Sequence, residues 1–186
     1  MTTSFRTPAA PDRSADWDAA TPFDDFLETV GENPELWRGT RKRARIEPEA
    51  LARAEAVSGA WRLLALNEDW CGDAANTLPV LAALADQVDG LDLRVLGRDD
   101  HPALMDAHLT GGTARSIPVV MLLDGDGRER GWWGPRPSEL QEWVMTEGLA
   151  MEDKEARYKA VRTWYARDRG RTTVDEVLTL LEDVAE

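Results

Sequence analysis

Residues 68–75 read EDWCGDAA and contain Cys71, the only cysteine in a chain of 186 residues. A thiolate is a strong, soft nucleophile, and its reactivity follows the thiolate fraction and access to the sulfur. Trp70 offers an apolar surface beside it, and Gly72 lets another backbone approach closely. The position three residues on, where a second sulfur would close an intrachain disulfide, is Ala74. The chemistry open to Cys71 is therefore exchange with a thiol or disulfide that another molecule supplies. The two histidines, His101 and His108, have no cysteine or further histidine near them to complete a ligand set. Neither a metal centre nor a cofactor is expected.

The elements around Cys71 decide how that sulfur behaves. WRLLALN (61–67) is an apolar run of strand length, and from Gly72 to Val88 the apolar residues Leu78, Leu81, Ala82, Ala85 and Val88 recur at helical spacing. Cys71 thus falls where a strand passes into a helix N-terminus, whose free N–H groups and dipole favour a thiolate. Glu68, Asp69 and Asp73 oppose it, with no Lys, Arg or His between 65 and 80. The expected thiol pKa is only modestly below the free value. Asp73 suits the first helical turn, as a stabiliser of the helix more than as an acid–base group. Pro79 is expected to kink this helix without ending it.

Downstream, LDLRVLG (91–97) alternates as a second strand and DHPALMDAHL (100–109) fits a helix. PVVMLL (118–123), the DGDG turn and RERGWW (128–133) form a hairpin, followed by the helix PSELQEWV. Pro118 can open a strand but not interrupt one. Trp132 and Trp133 must point to opposite faces, so at most one reaches a surface shared with Trp70. The order strand–helix–strand–helix–strand–strand–helix describes one mixed sheet flanked by helices.

Residues 1–21, rich in Pro, Ala, Asp and Thr, are read as a mobile arm. Residues 22–59 form a helical preface, with Asn33 as an N-cap before Pro34 and Pro48 opening a further helix. Residues 60–146 are the central domain, and 147–186 a C-terminal helical extension. There Tyr158, Val161 and Tyr165 make a stripe, Val174, Val177, Leu178 and Leu181 a second, and Thr173 with Glu176 suggest a capping box. Thirty-five acidic residues against 22 basic give a net charge of −13, which argues against nucleic acid or an anionic membrane as partner. The basic run RGTRKRAR (38–45) reads as a solvated helix face. With no apolar leader, no membrane-length run and a single cysteine, the expected location is the cytoplasm.

Trp70-Cys71-Gly72 after a strand, Pro79 eight residues beyond the cysteine, and Ile117-Pro118 opening the third strand resemble the thioredoxin superfamily. The resemblance covers residues 60–145. EDWCGD, ARSIPVV and WGPRP are similar to small bacterial thioredoxin-like proteins with WCGD in place of CxxC. It implies a thioredoxin-like α/β fold, a cis Pro118 with the backbone of Ser116 and Ile117 beside the sulfur, and Gly134 facing the active site. The site it implies is Cys71 as nucleophile, with Trp70, Gly72, Asp73, Ile117, Pro118 and Gly134 contacting substrate. Ala65 stands where thioredoxins carry a buried Asp that serves the second cysteine, so both the thiol and its base are absent.

Two functions fit these residues. In one, Cys71 is a monothiol exchanging with a protein mixed disulfide, and a low-molecular-weight thiol resolves it. In the other, the chain is a non-catalytic module that binds a protein segment along the Pro118 groove. A shared iron–sulfur cluster is a third possibility, disfavoured by the acidic flank and the lack of a CGFS motif.

Overall fold

The computed structural model describes residues 10–185. Its centre is a five-stranded mixed sheet, β1 (Thr21–Pro22), β2 (Trp61–Asn67), β3 (Leu91–Gly97), β4 (Val119–Asp124) and β5 (Glu129–Trp133), in the order β1-β3-β2-β4-β5. β2 runs parallel to β3 and antiparallel to β4, with Ala65 opposite Val95 on one side and Val120 on the other. A strand covered on both edges and both faces has no use for polar alternation. Leu63, Leu64, Ala65 and Leu66 are accordingly all fully buried. β4 and β5 form the expected hairpin, whose turn is held by Asp124 Oδ1 accepting from the N–H groups of Asp126 and Arg128.

α5 (Gly72–Ala85) crosses from β2 to β3 and continues through Pro79. It packs between the sheet, α3 (Pro34–Arg43) and α9 (Arg171–Ala185), which explains why residues 77–84 are all buried. The other helices are α1 (Ser14–Ala19), α2 (Phe23–Thr29), α4 (Pro48–Ala56), α6 (Pro102–Asp106), α7 (Ser138–Trp143) and α8 (Lys154–Asp168). A π-helical turn, Val144–Gly148, follows α7 without a break.

Several local expectations differ from what forms. The first nine residues of the expected arm lie outside the described residues. Residues 12–22, however, are built into the fold: Trp17 is buried beneath the guanidiniums of Arg94 and Arg62, and Thr21–Pro22 pairs antiparallel with β3. A two-residue edge strand carries no periodicity, so composition alone governed the reading of this segment. Asn33 adopts a left-handed conformation (φ 49°) with no side-chain cap. The Thr173–Glu176 capping box does not form, because α9 starts at Arg171 and Glu176 accepts instead from Trp133 Nε1 (2.7 Å) and the Ser138 N–H (2.8 Å).

The two ends close over the central domain. Phe26 meets Trp37 edge-on at 5.2 Å between ring centroids, and fully buried Trp37 donates from Nε1 to the Asp69 carbonyl (2.8 Å). Val174, Val177, Leu178 and Leu181 of α9 are buried in the same core as β2 and α5.

Candidate functional site around Cys71

Cys71 is the N-cap of α5, in extended conformation (φ −77°, ψ 112°) at the end of the loop leaving β2. Its sulfur accepts from the Ala74 N–H at 3.5 Å, as an N-cap should. The thiol also donates to the Ile117 carbonyl at 3.4 Å. A sulfur that donates is protonated, and this one is buried. Burial pushes the Cys71 thiol up to about 11; the Asp73 charge adds to that, while the Ala74 N–H and Arg136 work against it. This reverses the sequence-based expectation of a modest decrease. Desolvation decides the outcome, and the sequence gives no direct measure of it.

The carboxylates flanking the cysteine are otherwise engaged. Glu68 Oε1 accepts from the Asp99 N–H (2.9 Å), and Asp69 Oδ2 accepts from the N–H groups of Gly31 (3.0 Å) and Glu32 (3.1 Å). Asp73 turns to two donors from distant parts of the chain: Arg136 Nη2 to Oδ2 at 2.6 Å and the Tyr165 hydroxyl to Oδ1 at 2.7 Å. Arg136 is fixed in turn by donating from Nη1 to Gln141 (2.7 Å). The Tyr165 phenol is raised above its ordinary pKa by burial first and by Asp73 second, so it serves only as a donor.

Trp70 is half exposed, at 49% of its surface, with the Arg98 guanidinium 5.2 Å from its ring centroid. Arg98 Nη1 also donates to the Arg115 carbonyl (3.2 Å), linking Trp70 to the segment that leads into Ser116 and Ile117. The Ile117–Pro118 and Gly134–Pro135 peptides are both cis. Gly134 has φ +134°, and an added Cβ would overlap the Pro118 carbonyl oxygen. Gly72 is different: nothing lies within 4 Å of a Cβ built there.

Cys71, Ile117, Pro118 and Gly134 thus form one contiguous cluster, with Trp70 and Gly72 on its open side. Asp73 points into the ion-paired group behind it. Trp133 and Trp132 lie elsewhere, the first bonded to Glu176 and the second edge-on to His108 at 5.7 Å. Arg136, Tyr165 and Arg98 lie around this cluster; the sequence pointed to neither arginine, and to Tyr165 only as part of an amphipathic stripe. Arg136 lies 63 positions from Asp73 and Tyr165 lies 92 away, with no spacing rule to connect them.

With this geometry established, comparison with known proteins places the chain. The sequence profile of the family described as Thioredoxin matches residues 20–157, three-quarters of the chain. The chain belongs to the thioredoxin family.

Among solved structures, the crystal structure of an HIV epitope-scaffold superposes with a TM-score of 0.72 at 16% identity, covering 93% of this chain and 99% of the other. A protein of unknown function from Pseudomonas aeruginosa superposes with a TM-score of 0.67 at 18% identity, covering 89% and 94%. At these identities the likeness is one of fold, and it takes in both helical ends as well as the central domain. No curated protein sequence matches the chain. Among the described residues, no helix is long and apolar enough to cross a membrane. A thioredoxin relies on two sulfurs for its dithiol–disulfide cycle; this family member has one, and Ala65 and Ala74 are both fully buried in apolar surroundings.

Proposed function

We propose that this thioredoxin-family chain is a protein-binding module in which Cys71 is a packed, protonated thiol, and that an extended segment of a partner protein docks beside Pro118 and Trp70. The observation that carries this reading is the Cys71 thiol itself, buried and donating to the Ile117 carbonyl. A thiol raised to about 11 exposes a negligible thiolate fraction at neutral pH. Trp70 supplies the anchor such docking needs, since an exposed indole at a binding surface carries a disproportionate share of the energy. Gly72, with open space at its Cβ position, leaves room for a partner backbone. The WCGD block would then mark a group of small bacterial thioredoxin-like proteins that keep the groove and forgo the dithiol cycle, working in the cytoplasm.

The second reading, monothiol exchange, is favoured by the Ala74 N–H pointing at the sulfur and by Arg136 nearby. In that reaction the Cys71 thiolate attacks the small-thiol sulfur of a protein mixed disulfide, forms a new disulfide with it, and releases the protein thiol. A second molecule of the small thiol then attacks this disulfide, leaves as the symmetric disulfide and restores the Cys71 thiol.

One pair of variants separates the two. For the binding module, Cys71→Ala retains partner capture under reducing conditions while Trp70→Ala loses it at unchanged Tm. Turnover of a glutathione- or bacillithiol-capped peptide that disappears in Cys71→Ser would overturn the module and establish exchange.

A further inference from the structure

The body of this protein is acidic, yet one face of it is not. A cavity of about 790 Å³ lies between the end of α3 and α8, with Lys42, Arg43, Arg45, Arg162 and Arg169 around it. An adjoining hollow of about 600 Å³ shares Arg43, Arg45 and Arg169 and adds Arg167 and Arg171. Many of the arginines elsewhere are matched to carboxylates, among them Arg41 to Asp24 and Asp86, Arg53 to Asp175 and Glu182, Arg115 to Asp106, and Arg136 to Asp73. None of the seven cations of this groove forms an ion pair among the described residues. Four carboxylates lie nearby, two of them, Glu49 and Asp175, in a further hollow shared with Arg45 and Arg171. Glu47 lines the adjoining hollow, and Asp168 is occupied by the N–H and hydroxyl of Thr172.

RGTRKRAR on its own would be a solvated helix face. What the fold adds is a second set of cations, more than a hundred residues later, turned toward the same hollow. Like charges gathered without ion-paired carboxylates repel one another, and an acidic chain has carboxylates to spare. Arg169 is also held in the left-handed region (φ 58°, ψ 28°) at the C-terminus of α8, where glycine or asparagine is usual. The cavity wall is apolar: Leu36, Val80 and Ala166 line it, together with Tyr165.

We infer that this groove is a binding site for a small phosphorylated ligand of the nucleotide class, its phosphates on Arg43, Arg45 and Arg169 and its ring against Leu36 and Val80. Guanidinium forks match phosphate oxygens in pairs, and the volume falls within the roughly 300–1,000 Å³ of small-molecule and cofactor sites. A long nucleic acid would run off the groove onto the acidic body, so a compact anion is the better match. The site is separate from the Cys71 groove, and its occupancy does not depend on what that sulfur does.

The test uses the full chain with ATP, inorganic pyrophosphate and adenosine as probes, in calorimetry and thermal-shift measurements. ATP is expected to bind most tightly, pyrophosphate more weakly and adenosine not at all, with affinity falling as salt is raised. Arg45→Gln combined with Arg169→Asn is expected to weaken ATP binding by about tenfold or more, the scale of one lost charge-assisted contact. Asn is at home in the left-handed region, so this variant keeps its Tm. Arg38→Gln, an exposed α3 cation outside the groove, should bind ATP like the wild type. No binding of ATP or pyrophosphate, or equal binding by the double variant, would overturn the site. Equal affinity for ATP and pyrophosphate would overturn the nucleotide assignment.

Discussion

Asp73 connects the cysteine helix to the C-terminal extension, and replacing it by asparagine tests both the fold and the thiol. Asp73 and Arg136 have only 15% and 18% of their side chains exposed, so their 2.6 Å contact is poorly screened. Asn keeps one acceptor oxygen and loses the charge. The variant therefore forfeits one charge-assisted bond outright, weakens the other, and leaves the Arg136 guanidinium without its counter-ion. Bonds to charged groups contribute about 1.5–3 kcal/mol each, and breaking a buried pair costs about 3–5 kcal/mol, which brackets the loss at about 2–4 kcal/mol. For a chain of this size that lowers Tm by about 4–16 °C. The thiol should respond as well. Asp73 raises the Cys71 pKa and Arg136 lowers it, so deleting the first while unmasking the second moves the alkylation midpoint down from about 11. Because burial is the larger cause, the midpoint stays above the free-thiol value of about 8.5. Thermal unfolding and pH-dependent alkylation of the same sample read both effects. Tyr165→Phe should couple to Asp73→Asn in a double-mutant cycle, since both hold the same carboxylate. An unchanged Tm together with an unchanged midpoint would refute the reasoning.

Wild-type stability should fall between about pH 8.5 and about 11. The folded thiol holds its proton to higher pH than the unfolded one, so its contribution is complete below the unfolded pKa and lost as pH rises through the folded one. Cys71→Ala should flatten that limb of a pH–stability curve, and an equal slope in the variant would refute the assignment. His108 donates to both the Leu104 carbonyl (2.7 Å) and Glu129 (2.6 Å), and Glu129 accepts from Arg13 (2.7 Å) as well. Burial works to lower the His108 pKa, but these acceptors outweigh it and the net shift is upward; burial works to raise Glu129, but His108 and Arg13 bring it down. The pair should therefore contribute most between about pH 4.3 and about pH 6.5, fading as pH rises through the histidine and falls through the carboxylate. His108→Gln should remove the alkaline loss in a urea titration series across pH. Gly134→Ala should cost more than about 3 kcal/mol or prevent folding, because its Cβ meets a backbone carbonyl at φ +134°. Gly72→Ala, with open space at the same atom, should leave Tm unchanged or raise it; similar losses in the two variants would contradict the geometry.

The sheet centre was legible because β2 is covered on both faces. Seven apolar-rich residues between Gly59 and a charged loop leave little choice, and β3 follows with clean alternation. The cysteine loop was legible by a different route: Trp-Cys-Gly, the helix proline and the Ile-Pro step resemble the thioredoxin superfamily, and the family profile matches this stretch. What did not show in the sequence are contacts that cross many residues without periodicity. Thr21–Pro22 is too short to carry a strand signal, yet its pairing with Arg94 and Val95 turns an expected arm into a sheet edge. Thr173 and Glu176 satisfy the capping-box pattern, but the chain turns three residues earlier at Arg169–Gly170, where a Cβ on Gly170 would meet Val80. The most consequential omission was the solvation of Cys71. Local charge counting gives the signs of Glu68, Asp69 and Asp73, whereas their effect depends on which distant amides and guanidiniums they face.

Those long-range contacts tie the helices at both ends to the Cys71 loop. The WCGD loop is held from one side by the N-terminal helices, through Trp37 to the Asp69 carbonyl and Asp69 to the Gly31 and Glu32 amides. From the other side it is held by α8, through Tyr165 to Asp73. In a dithiol site the first turn of the cysteine helix must admit an attacking sulfur and let charge develop there. Here that turn is clamped by an ion pair, a phenol and a capped loop, and the sulfur rests against a carbonyl that favours its proton. Burial and the Asp73 charge raise the work of exposing a thiolate, and together they outweigh Arg136 and the Ala74 N–H, which favour one. The extensions therefore touch the Cys71 loop as well as the core, and on the proposed reading of a docking groove that fixed shape would lower the ordering cost of binding, where a nucleophile would lose by it.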